Sequence, residues 1–452
     1  MNKRKQIVTY LLTDFFMSSI AWLLFNWVRF DELASFLGFQ SINEYLTYSK
    51  VLRGQFFLPF FWMALFALSG YYNAPFGKSR LNELFITLFS VTLGCLIIFF
   101  VVILDDLPPS FDVYYTLFFT LVGLQFGLIY MGRLSITLRG LRKIKTKEWA
   151  LRSLIIGAGK NAKRIAHDLS NLGYEVVVLL PEAEIERLPA LMNATKVDEL
   201  IIALDTVDSE AELKILYSLY VYKKPIKILA ERSKLLSNVR IHTIRGIPLV
   251  DVTASNLSEG EANIKWVLDK LVSILFLLLF SPVFAYLAWQ VKRSSKGPIF
   301  YRQERIGYRG KPYYIYKFRT MTVHAEDCAP LLASDNDKRI TPFGKIMRKY
   351  RLDELPQFWN VLKGDMALVG PRPERKFFID QIVTRAPYYY LLHNVKPGIT
   401  SLGMVKYGYA DNVDKMLERL DYDMLYYENM SLTLDITILF YTVITIVTGK
   451  GI

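Results

Sequence analysis

Four apolar runs occupy the first part of the chain, and each is close to the length of a membrane-spanning helix. They cover residues 7–28, 56–72, 84–104 and 113–131. About 20 consecutive apolar residues cross the hydrocarbon core of a bilayer. The pattern therefore predicts a bundle of four transmembrane helices over 1–135.

Basic residues orient this predicted bundle, because cytoplasmic flanks of membrane helices are rich in lysine and arginine. Lys3, Arg4 and Lys5 precede the first run, Lys78 and Arg80 lie between the second and third, and Arg139, Arg142, Lys143, Lys145 and Lys147 follow the fourth. We predict that both ends of the bundle are cytoplasmic. Asp14, inside the first run, is predicted to have a structural role, with a functional intramembrane carboxylate as the alternative.

A later apolar run, 271–291, is interrupted at its centre by Ser281 and Pro282. Proline removes a helix hydrogen bond and bends the chain, and serine can bond the freed carbonyl. Basic residues stand on both sides of the run, so a straight crossing would place one basic cluster outside the cell. The pattern favours a helix over 266–291 that enters the cytoplasmic leaflet and returns, and leaves an ordinary kinked spanning helix as the alternative.

Between these segments, over 150–255, strand and helix signals alternate, which is typical of βαβ units and a parallel sheet. Gly157, Gly159 and Ala162 form a G-x-G-x-x-A turn, which can hold a dinucleotide pyrophosphate at a helix N-terminus. The acidic residues that follow come only after a proline and make a poor ribose ligand. We favour a regulatory or oligomerising domain that keeps the turn for packing, with a working NAD site as the alternative.

Composition agrees with a membrane protein. Of the 452 residues, 52% are hydrophobic and 14% aromatic, and the formal net charge is +13. We assign this charge to the anionic cytoplasmic leaflet rather than to nucleic acid. The two cysteines, Cys95 and Cys328, form neither a disulfide framework nor a zinc site.

Candidate chemistry concentrates in 348–374, RKYRLDELPQFWNVLKGDMALVGPRPE. Asp353 and Glu354 are adjacent carboxylates, and the basic residues around them include Arg348, Arg351 and Arg372. Mg²⁺ takes oxygen ligands, commonly one or two carboxylates plus substrate phosphates, and guanidinium groups match phosphate geometry. The stretch therefore indicates metal-assisted chemistry on a phosphate.

Local signals in the same stretch predict a short helix. Asp353 would be its N-cap, Pro356 would lie in its first turn and Gly364 would end it. A capped surface helix with salt bridges is the alternative for an isolated Asp-Glu pair.

The segment DELPQFWNVLKGDMALVGPRPE resembles the signature of the bacterial sugar transferase family, the polyprenyl-phosphate hexose-1-phosphate transferases. The resemblance extends to YRQERIGYRGKPYYIYKFRTM (301–321), KPGIT (396–400) and YDMLYYENMSLTLD (422–435). It implies three parts: a membrane α-helical bundle, an α/β Rossmann-like (CoA-binding-like) domain without a redox role, and an α+β monotopic catalytic domain over 262–452 with a re-entrant membrane helix.

The resemblance also implies a reaction. A hexose-1-phosphate passes from a UDP-sugar, UDP-glucose or UDP-galactose, to undecaprenyl phosphate, with release of UMP. This is the first membrane step of capsule, O-antigen or exopolysaccharide synthesis. The location implied is the bacterial inner membrane, with the catalytic domain on the cytoplasmic side.

The family motifs assign roles to individual residues. Asp353 would attack the sugar-bearing phosphorus to form an acyl phosphate, and Glu354 would bind Mg²⁺ or orient water and lipid phosphate. The residues expected to bind substrate phosphates are Lys317, Arg319, Arg348, Arg351 and Arg372. Asp423 would support the metal site or a bound sugar, with capping or a salt bridge as an equal alternative. The sequence alone equally permits direct transfer, with Asp353 only a metal ligand.

Other segments of the catalytic part have simpler expectations. Residues 298–321 predict short strands and a turn, and 322–343 a polar loop. Residues 416–429 form a tyrosine-rich amphipathic pattern suited to the membrane interface, and 436–447 is too short to span and is expected on the leaflet. After KPGIT, Leu402 and Met404 depart from the common family pattern, which bears on sugar recognition.

Two other functional classes remain as hypotheses. A membrane oxidoreductase would rest on the glycine turn, and a non-enzymatic scaffold on the bundle and the βαβ domain. The density of phosphate-type residues over 303–374 favours the transferase. The expected partners are a UDP-sugar, undecaprenyl phosphate, the lipid bilayer and a second copy of the chain in a homodimer, with no nucleic acid.

Overall fold

The computed structural model describes residues 3–73, 80–103, 110–146, 148–205, 209–229, 241–244, 247–253, 257–322, 339–408 and 410–448. The chain divides into two compact units. The first is Met1–Ala150 with Ser170–Glu175 and Ser258–Ile264, and the second is Leu151–Leu169, Val176–Leu257 and Lys265–Ile452.

Long apolar helices make up most of the first unit. They are α1 (Lys3–Leu37), α2 (Ile42–Thr47), α3 (Ser49–Leu68), α4 (Arg80–Ile98), which continues as a π-helical turn (Phe99–Ile103), and α5 (Phe111–Lys145). Within the described ranges, α1, α3, α4 with its π-turn, and α5 are long and apolar enough to cross a membrane. The prediction of apolar helices is confirmed. The last of them runs on through the basic residues after 131, because lysine and arginine are good helix formers.

A buried ion pair joins α1 to α5. The Asp14 carboxylate lies 2.7 Å from the Arg133 guanidinium, and both side chains are fully buried. Arg133 also lies over the rings of Phe66 and Tyr71, at 4.0 and 3.6 Å. The Tyr72 hydroxyl donates to Asp14 at 2.7 Å. Asp14 therefore has the surroundings of a structural residue, since its charge is satisfied inside the unit.

A six-stranded sheet occupies the first part of the second unit. Its strands are β1 (Arg152–Ile156), β2 (Glu175–Leu180), β3 (Glu199–Ile202), β4 (Ile226–Leu229), β5 (Ile241–Ile244) and β6 (Ile247–Asp251), in the order β2-β1-β3-β4-β6-β5. The accompanying helices are α6 (Lys160–Asn171), α7 (Leu188–Ala194) and α8 (Ser209–Leu219), with 3₁₀ turns at Glu182–Arg187 and Tyr220–Tyr222.

The sheet is mixed rather than parallel throughout. Strands β1, β3 and β4 are parallel, as the βαβ pattern predicts, whereas β6 is antiparallel to both β4 and β5. The prediction of a parallel sheet is wrong for this edge. Only two residues separate β5 from β6, and a parallel pair would need a crossover of a dozen or more.

The glycine turn after β1 is closed by packing. Gly157 has a φ of +127°, and a Cβ there would lie 2.3 Å from the carbonyl oxygen of Ala203. Ala162, on the first turn of α6, is fully buried. A small residue is needed at both positions for the helix to pack on the sheet.

The chain's own Asp205 fills the mouth of this turn. Its carboxylate accepts the backbone N–H groups of Lys160 at 2.5 Å and Asn161 at 2.9 Å, at the N-terminus of α6. A Cβ at Gly159 would lie 1.7 Å from the same carboxylate. These amides and the helix dipole are what a dinucleotide pyrophosphate would use, so an internal anion stands in its place.

A bent helix pair, whose residues up to Ile264 belong to the first unit, precedes the rest of the second unit. Helices α9 (Glu259–Leu279) and α10 (Ser281–Ser294) meet at 65°. The bend coincides with Ser281 and Pro282, and the Ser281 hydroxyl donates to the Leu278 carbonyl at 2.9 Å. Leu278 and Leu279 at the bend are largely exposed.

Short elements follow. The strands are β7 (Phe300–Ile306), β8 (Pro312–Phe318), β9 (Ala367–Val369) and β10 (Gly398–Thr400). The helices are α11 (Pro342–Lys349), α12 (Gln357–Lys363), α13 (Lys376–Arg385), α14 (Leu402–Lys406), α15 (Val413–Glu428) and α16 (Leu432–Val447). Three 3₁₀ turns lie at Tyr308–Gly310, Leu352–Glu354 and Pro387–Asn394.

The antiparallel hairpin β7–β8 matches the strands and turn expected over 298–321. Most of the loop predicted over 322–343, residues 323–338, lies outside the described residues. The end of that predicted loop is helical, because Thr341 caps α11 and Pro342 suits its first position.

A buried polar cluster fixes α9 to the core. Lys265 donates to the Asp435 carboxylate at 2.5 Å and to the Val369 carbonyl at 3.0 Å. The Tyr426 hydroxyl donates to the other oxygen of Asp435 at 2.8 Å. Three elements, α9, α15 and α16, are thereby tied to β9.

Helix α15 corrects one prediction. Its amphipathic pattern is present, but Tyr426 and Tyr427 are buried in the core of the unit together with Arg419 and Asp423. These two tyrosines therefore pack inside the protein, whereas Tyr422 and Leu425 of the same helix are exposed. Helix α16 has 16 residues, and its placement on the leaflet stays a prediction.

We expect Arg133→Met to lower the thermal unfolding temperature of the full chain in nanodiscs, because Asp14 would remain buried without its counter-ion. Breaking such a pair costs about 3–5 kcal/mol. The double variant Asp14→Asn/Arg133→Met should recover much of this loss. Additive effects of the two single substitutions would contradict the coupling.

We also expect no saturable NADH binding, measured by nucleotide fluorescence with the full chain, because Asp205 occupies the anion position. Asp205→Ala should lower the unfolding temperature through loss of about 1 kcal/mol of helix capping. Stoichiometric NADH binding by the unaltered chain would contradict the assignment.

Candidate active site

A cavity of about 280 Å³ lies in the second unit between the β7–β8 hairpin, the Leu352–Glu354 turn, the loop 370–375 and α15. The predicted site residues on its wall are Lys317, Arg319, Arg348, Arg351, Asp353, Glu354 and Arg372. Further charged groups there, not singled out from the sequence, are Arg305, Arg339, Glu374, Arg375 and Arg419. Cations outnumber carboxylates on this wall, which favours an anionic ligand.

The carboxylates are presented by a tight turn rather than by a helix terminus. Arg351 adopts a left-handed conformation, with φ at +52°, and the 3₁₀ turn Leu352–Glu354 follows it. The prediction that Asp353 caps a helix is wrong, because the N-cap of α12 is Pro356. The predicted end is confirmed at Gly364, which takes a φ of +96°. The turn aims both carboxylates into the cavity.

Glu354 is held as an anion. Lys317 donates to its carboxylate at 2.7 Å, and Arg351 lies 3.6 Å from the other oxygen. Burial by itself would raise the pKa of Glu354, but the charges of Lys317, Arg351 and Arg372 outweigh burial and keep this pKa below its ordinary value.

Asp353 has a different environment although it is adjacent. Among the described residues no basic side chain forms an ion pair with it. Burial raises the pKa of Asp353 to about 6, against the opposing charge of Lys317 and with the help of the Glu354 charge. Near neutral pH this carboxylate is an anion without a fixed counter-ion, which suits a nucleophile or a metal ligand.

Two of the predicted arginines are positioned at the cavity by neighbouring groups. Arg348 donates through Nε to the Thr320 hydroxyl at 3.0 Å. Arg372 lies with Nη1 3.3 Å from the Met404 sulfur, and Nε 3.9 Å from Glu374. Met404, which departs from the common family pattern, is therefore part of the cavity wall.

Arg319 bonds to the backbone beyond α10. Its two terminal amino groups donate to the carbonyls of Lys296 and Ser295, both at 2.7 Å, just beyond the C-terminus of α10. The side chain is buried and lines the cavity. These two amino groups hold the end of α10, whereas Nε is buried and has no hydrogen-bond partner among the described residues. The expected phosphate-binding role of Arg319 stays a prediction.

Asp423 has backbone partners in the structure. It does not line the cavity. Its carboxylate accepts the backbone N–H groups of Gly403 at 3.1 Å and Arg372 at 3.4 Å. Asp423 thus positions the loop that carries Arg372, and its expected support of the metal site or a bound sugar stays a prediction.

The carboxylates of the cavity could hold Mg²⁺ only together with oxygen atoms of a bound phosphate. Within the described residues, no group of three or more histidine, cysteine, aspartate or glutamate side chains is arranged to hold a metal. Asp353, which lacks an ion pair, and Glu354 are the available carboxylates. Mg²⁺ commonly takes one or two carboxylates and completes its shell with phosphate oxygens and water, so these residues fit it.

Glu374 and Arg419 were missed by the sequence analysis, although the chain carries signals for both. Glu374 ends the GPRPE segment, and Arg419 precedes Asp423 by four residues on one face of α15. Their side chains lie 2.5 Å apart in the cavity wall.

Comparisons with known proteins agree with these observations. The family model described as bacterial sugar transferase matches residues 260–449. A UDP-N-acetylgalactosamine-undecaprenyl-phosphate N-acetylgalactosaminephosphotransferase from Aeromonas hydrophila is 44% identical over 190 residues, 42% of this chain and 45% of that protein. The chain spans somewhat less than half of the length of this relative and of two similar glucose-1-phosphate transferases.

Longer alignments are found with other relatives. An undecaprenyl-phosphate galactose phosphotransferase from Salmonella typhimurium is 31% identical over 67% of this chain and 69% of that protein. A UDP-glucose:undecaprenyl-phosphate glucose-1-phosphate transferase from Xanthomonas campestris pv. campestris is 30% identical over 73% of this chain and 74% of that protein. The resemblance is confirmed, and nothing among these relatives supports the oxidoreductase or scaffold hypotheses. This chain belongs to the bacterial sugar transferase family.

Proposed function

We propose that the protein transfers a hexose-1-phosphate from a UDP-sugar to undecaprenyl phosphate and releases UMP. The observation that carries the proposal is the pairing of Asp353, a buried carboxylate without a counter-ion, with Glu354, a carboxylate held by Lys317, inside a cationic cavity. The names of the relatives point to the same substrate class. We propose UDP-glucose or UDP-galactose as the donor.

The proposed mechanism has two displacements at one phosphorus. A carboxylate oxygen of Asp353 attacks the sugar-bearing phosphorus, and the bond to the UMP oxygen breaks with its electron pair leaving on UMP. A phosphate oxygen of undecaprenyl phosphate then attacks the acyl phosphate and releases the Asp353 carboxylate. A covalent intermediate of this kind divides one difficult step into two easier ones.

The other residues have electrostatic roles. Arg348, Arg351 and Arg372 stabilise charge on phosphoryl oxygens, and Lys317 keeps Glu354 ionised beside the nucleophile. Asp353 and Glu354 are the residues that would hold Mg²⁺, and the ion supplies neutralisation of phosphoryl charge.

The proposal extends to the membrane. Four helices of the first unit cross the bilayer with both ends in the cytoplasm, and α9 and α10 enter one leaflet and return. The 65° bend at Ser281 and Pro282 and the exposed leucines around it support the second assignment. The location is then the bacterial inner membrane, with a catalytic domain over 262–452 on the cytoplasmic side and a regulatory domain over 150–255. A homodimer stays a prediction.

We expect Asp353→Ala and Asp353→Asn to abolish UMP release from UDP-glucose or UDP-galactose in membranes supplied with Mg²⁺ and undecaprenyl phosphate. Loss of a nucleophile predicts a fall of about a thousandfold or more. Asp380→Asn is the matched control, because Asp380 is exposed and pairs with Lys376 on α13. Undiminished release by the Asp353 variants would remove that residue from the mechanism, and no release by the unaltered chain would refute the function.

We expect the rate of UMP release to rise with pH and level off above about pH 6, because attack needs the ionised form of Asp353, whose pKa is about 6. Below that value kcat/KM should fall about tenfold per pH unit. Lys317→Met should shift this limb to higher pH, because the ammonium opposes the rise of the Asp353 pKa. A limb that Lys317→Met leaves in place would assign it to another group.

A further inference from the structure

Glu374 is a buried carboxylate shared by several guanidinium groups. It is 4% exposed. Its oxygens lie 2.5 Å from Nη2 of Arg419, 3.3 Å from Nη1 of Arg305 and 3.9 Å from Nε of Arg372. All four residues line the cavity that holds Asp353.

The three arginines come from separate elements. Arg305 is on β7, Arg372 is in the loop after β9 and Arg419 is on α15. The backbone joins the same junction, since the Ile306 N–H donates to the Glu374 carbonyl at 3.1 Å. Glu374 is therefore the point at which the hairpin, the loop and the helix are fastened together.

Like charges this close need an anion between them. Three guanidinium groups in a buried site repel one another, and a shared carboxylate offsets that repulsion and fixes their directions. Burial lowers the pKa of Arg305, and the Glu374 charge opposes this shift. Glu374 thus holds Arg419 directly and Arg305 together with Gln303 Oε1 and the Pro373 carbonyl, and it lies beyond hydrogen-bond distance of Arg372, before any substrate phosphate arrives.

The same carboxylate has an opposite effect on a bound diphosphate. The negative charge of Glu374 lies in the cavity wall, so it repels phosphate oxygens, whereas the arginines around it attract them. Glu374 therefore improves the positioning of the arginines but weakens the binding of a diphosphate.

We propose that Glu374 is a resident counter-anion of the phosphate site, a positioning residue that orders Arg305, Arg372 and Arg419 for turnover and limits how tightly the site holds nucleotide. This inference rests on the proposed function. The Glu374 charge lowers the affinity of the site for nucleotide, which favours release of the nucleoside monophosphate.

The test uses the full chain in nanodiscs, with two readouts. UDP is the binding probe, measured by calorimetry at fixed ionic strength, and UMP release gives kcat and KM. Glu374→Gln keeps the shape and removes the charge, and Asp380→Asn is the matched acid-to-amide control on the next helix, α13. We expect Glu374→Gln to bind UDP about tenfold more tightly and to lose about tenfold or more in kcat.

A purely structural role would not give this split. Partial misfolding lowers the active fraction without tightening nucleotide binding, so unchanged or weaker UDP affinity in Glu374→Gln overturns the proposal. Unchanged kcat overturns it as well. If Glu374→Gln does not fold, Glu374→Asp decides the question, because it keeps the charge but withdraws it by one methylene. UDP affinity should then stay within about threefold while kcat falls, and an undiminished kcat overturns the positioning role.

The unaltered chain separates this proposal from the function on which it rests. If it neither binds UDP nor releases UMP, both fail together. If it does both and Glu374→Gln resembles it, only the role of Glu374 fails.

Discussion

The site depends on one constraint, which is that two neighbouring buried carboxylates must have unlike surroundings. A basic partner on each would give two closed ion pairs and no reactive oxygen. The left-handed Arg351 starts a turn that directs Glu354 toward Lys317 on the hairpin and leaves Asp353 without such a partner. The separate environments divide the roles, because one group supplies fixed charge and the other retains an available lone pair.

Much of this organisation is encoded in local pattern. The apolar runs predict the long helices because their length and hydrophobicity suit a bilayer, and the Ser281-Pro282 pair predicts the bend because proline removes a helix hydrogen bond. The left-handed end of α12 at Gly364 is equally local. These features need no knowledge of what lies across the fold.

Other features depend on distant partners and escape such analysis. Lys317 lies on β8 and Arg319 directly follows that strand, yet Lys317 contacts Glu354 and Arg319 contacts the carbonyls of residues 295 and 296. The amphipathic pattern of α15 is real, but the pattern does not say whether lipid or protein covers its apolar face. The role of Glu374 could not be predicted from its neighbours in the sequence, because its partner Arg419 is brought to it by the packing of α15.

The cap formed by Arg319 has a mechanical consequence. The strand that presents Lys317 is fastened, two residues further on, to the end of α10, and two residues of extended chain span about 7 Å. If α9 and α10 lie in lipid as proposed, a change in their depth in the bilayer moves this short segment and with it the Lys317 ammonium beside Glu354. The rate of the reaction would then depend on the thickness of the surrounding bilayer.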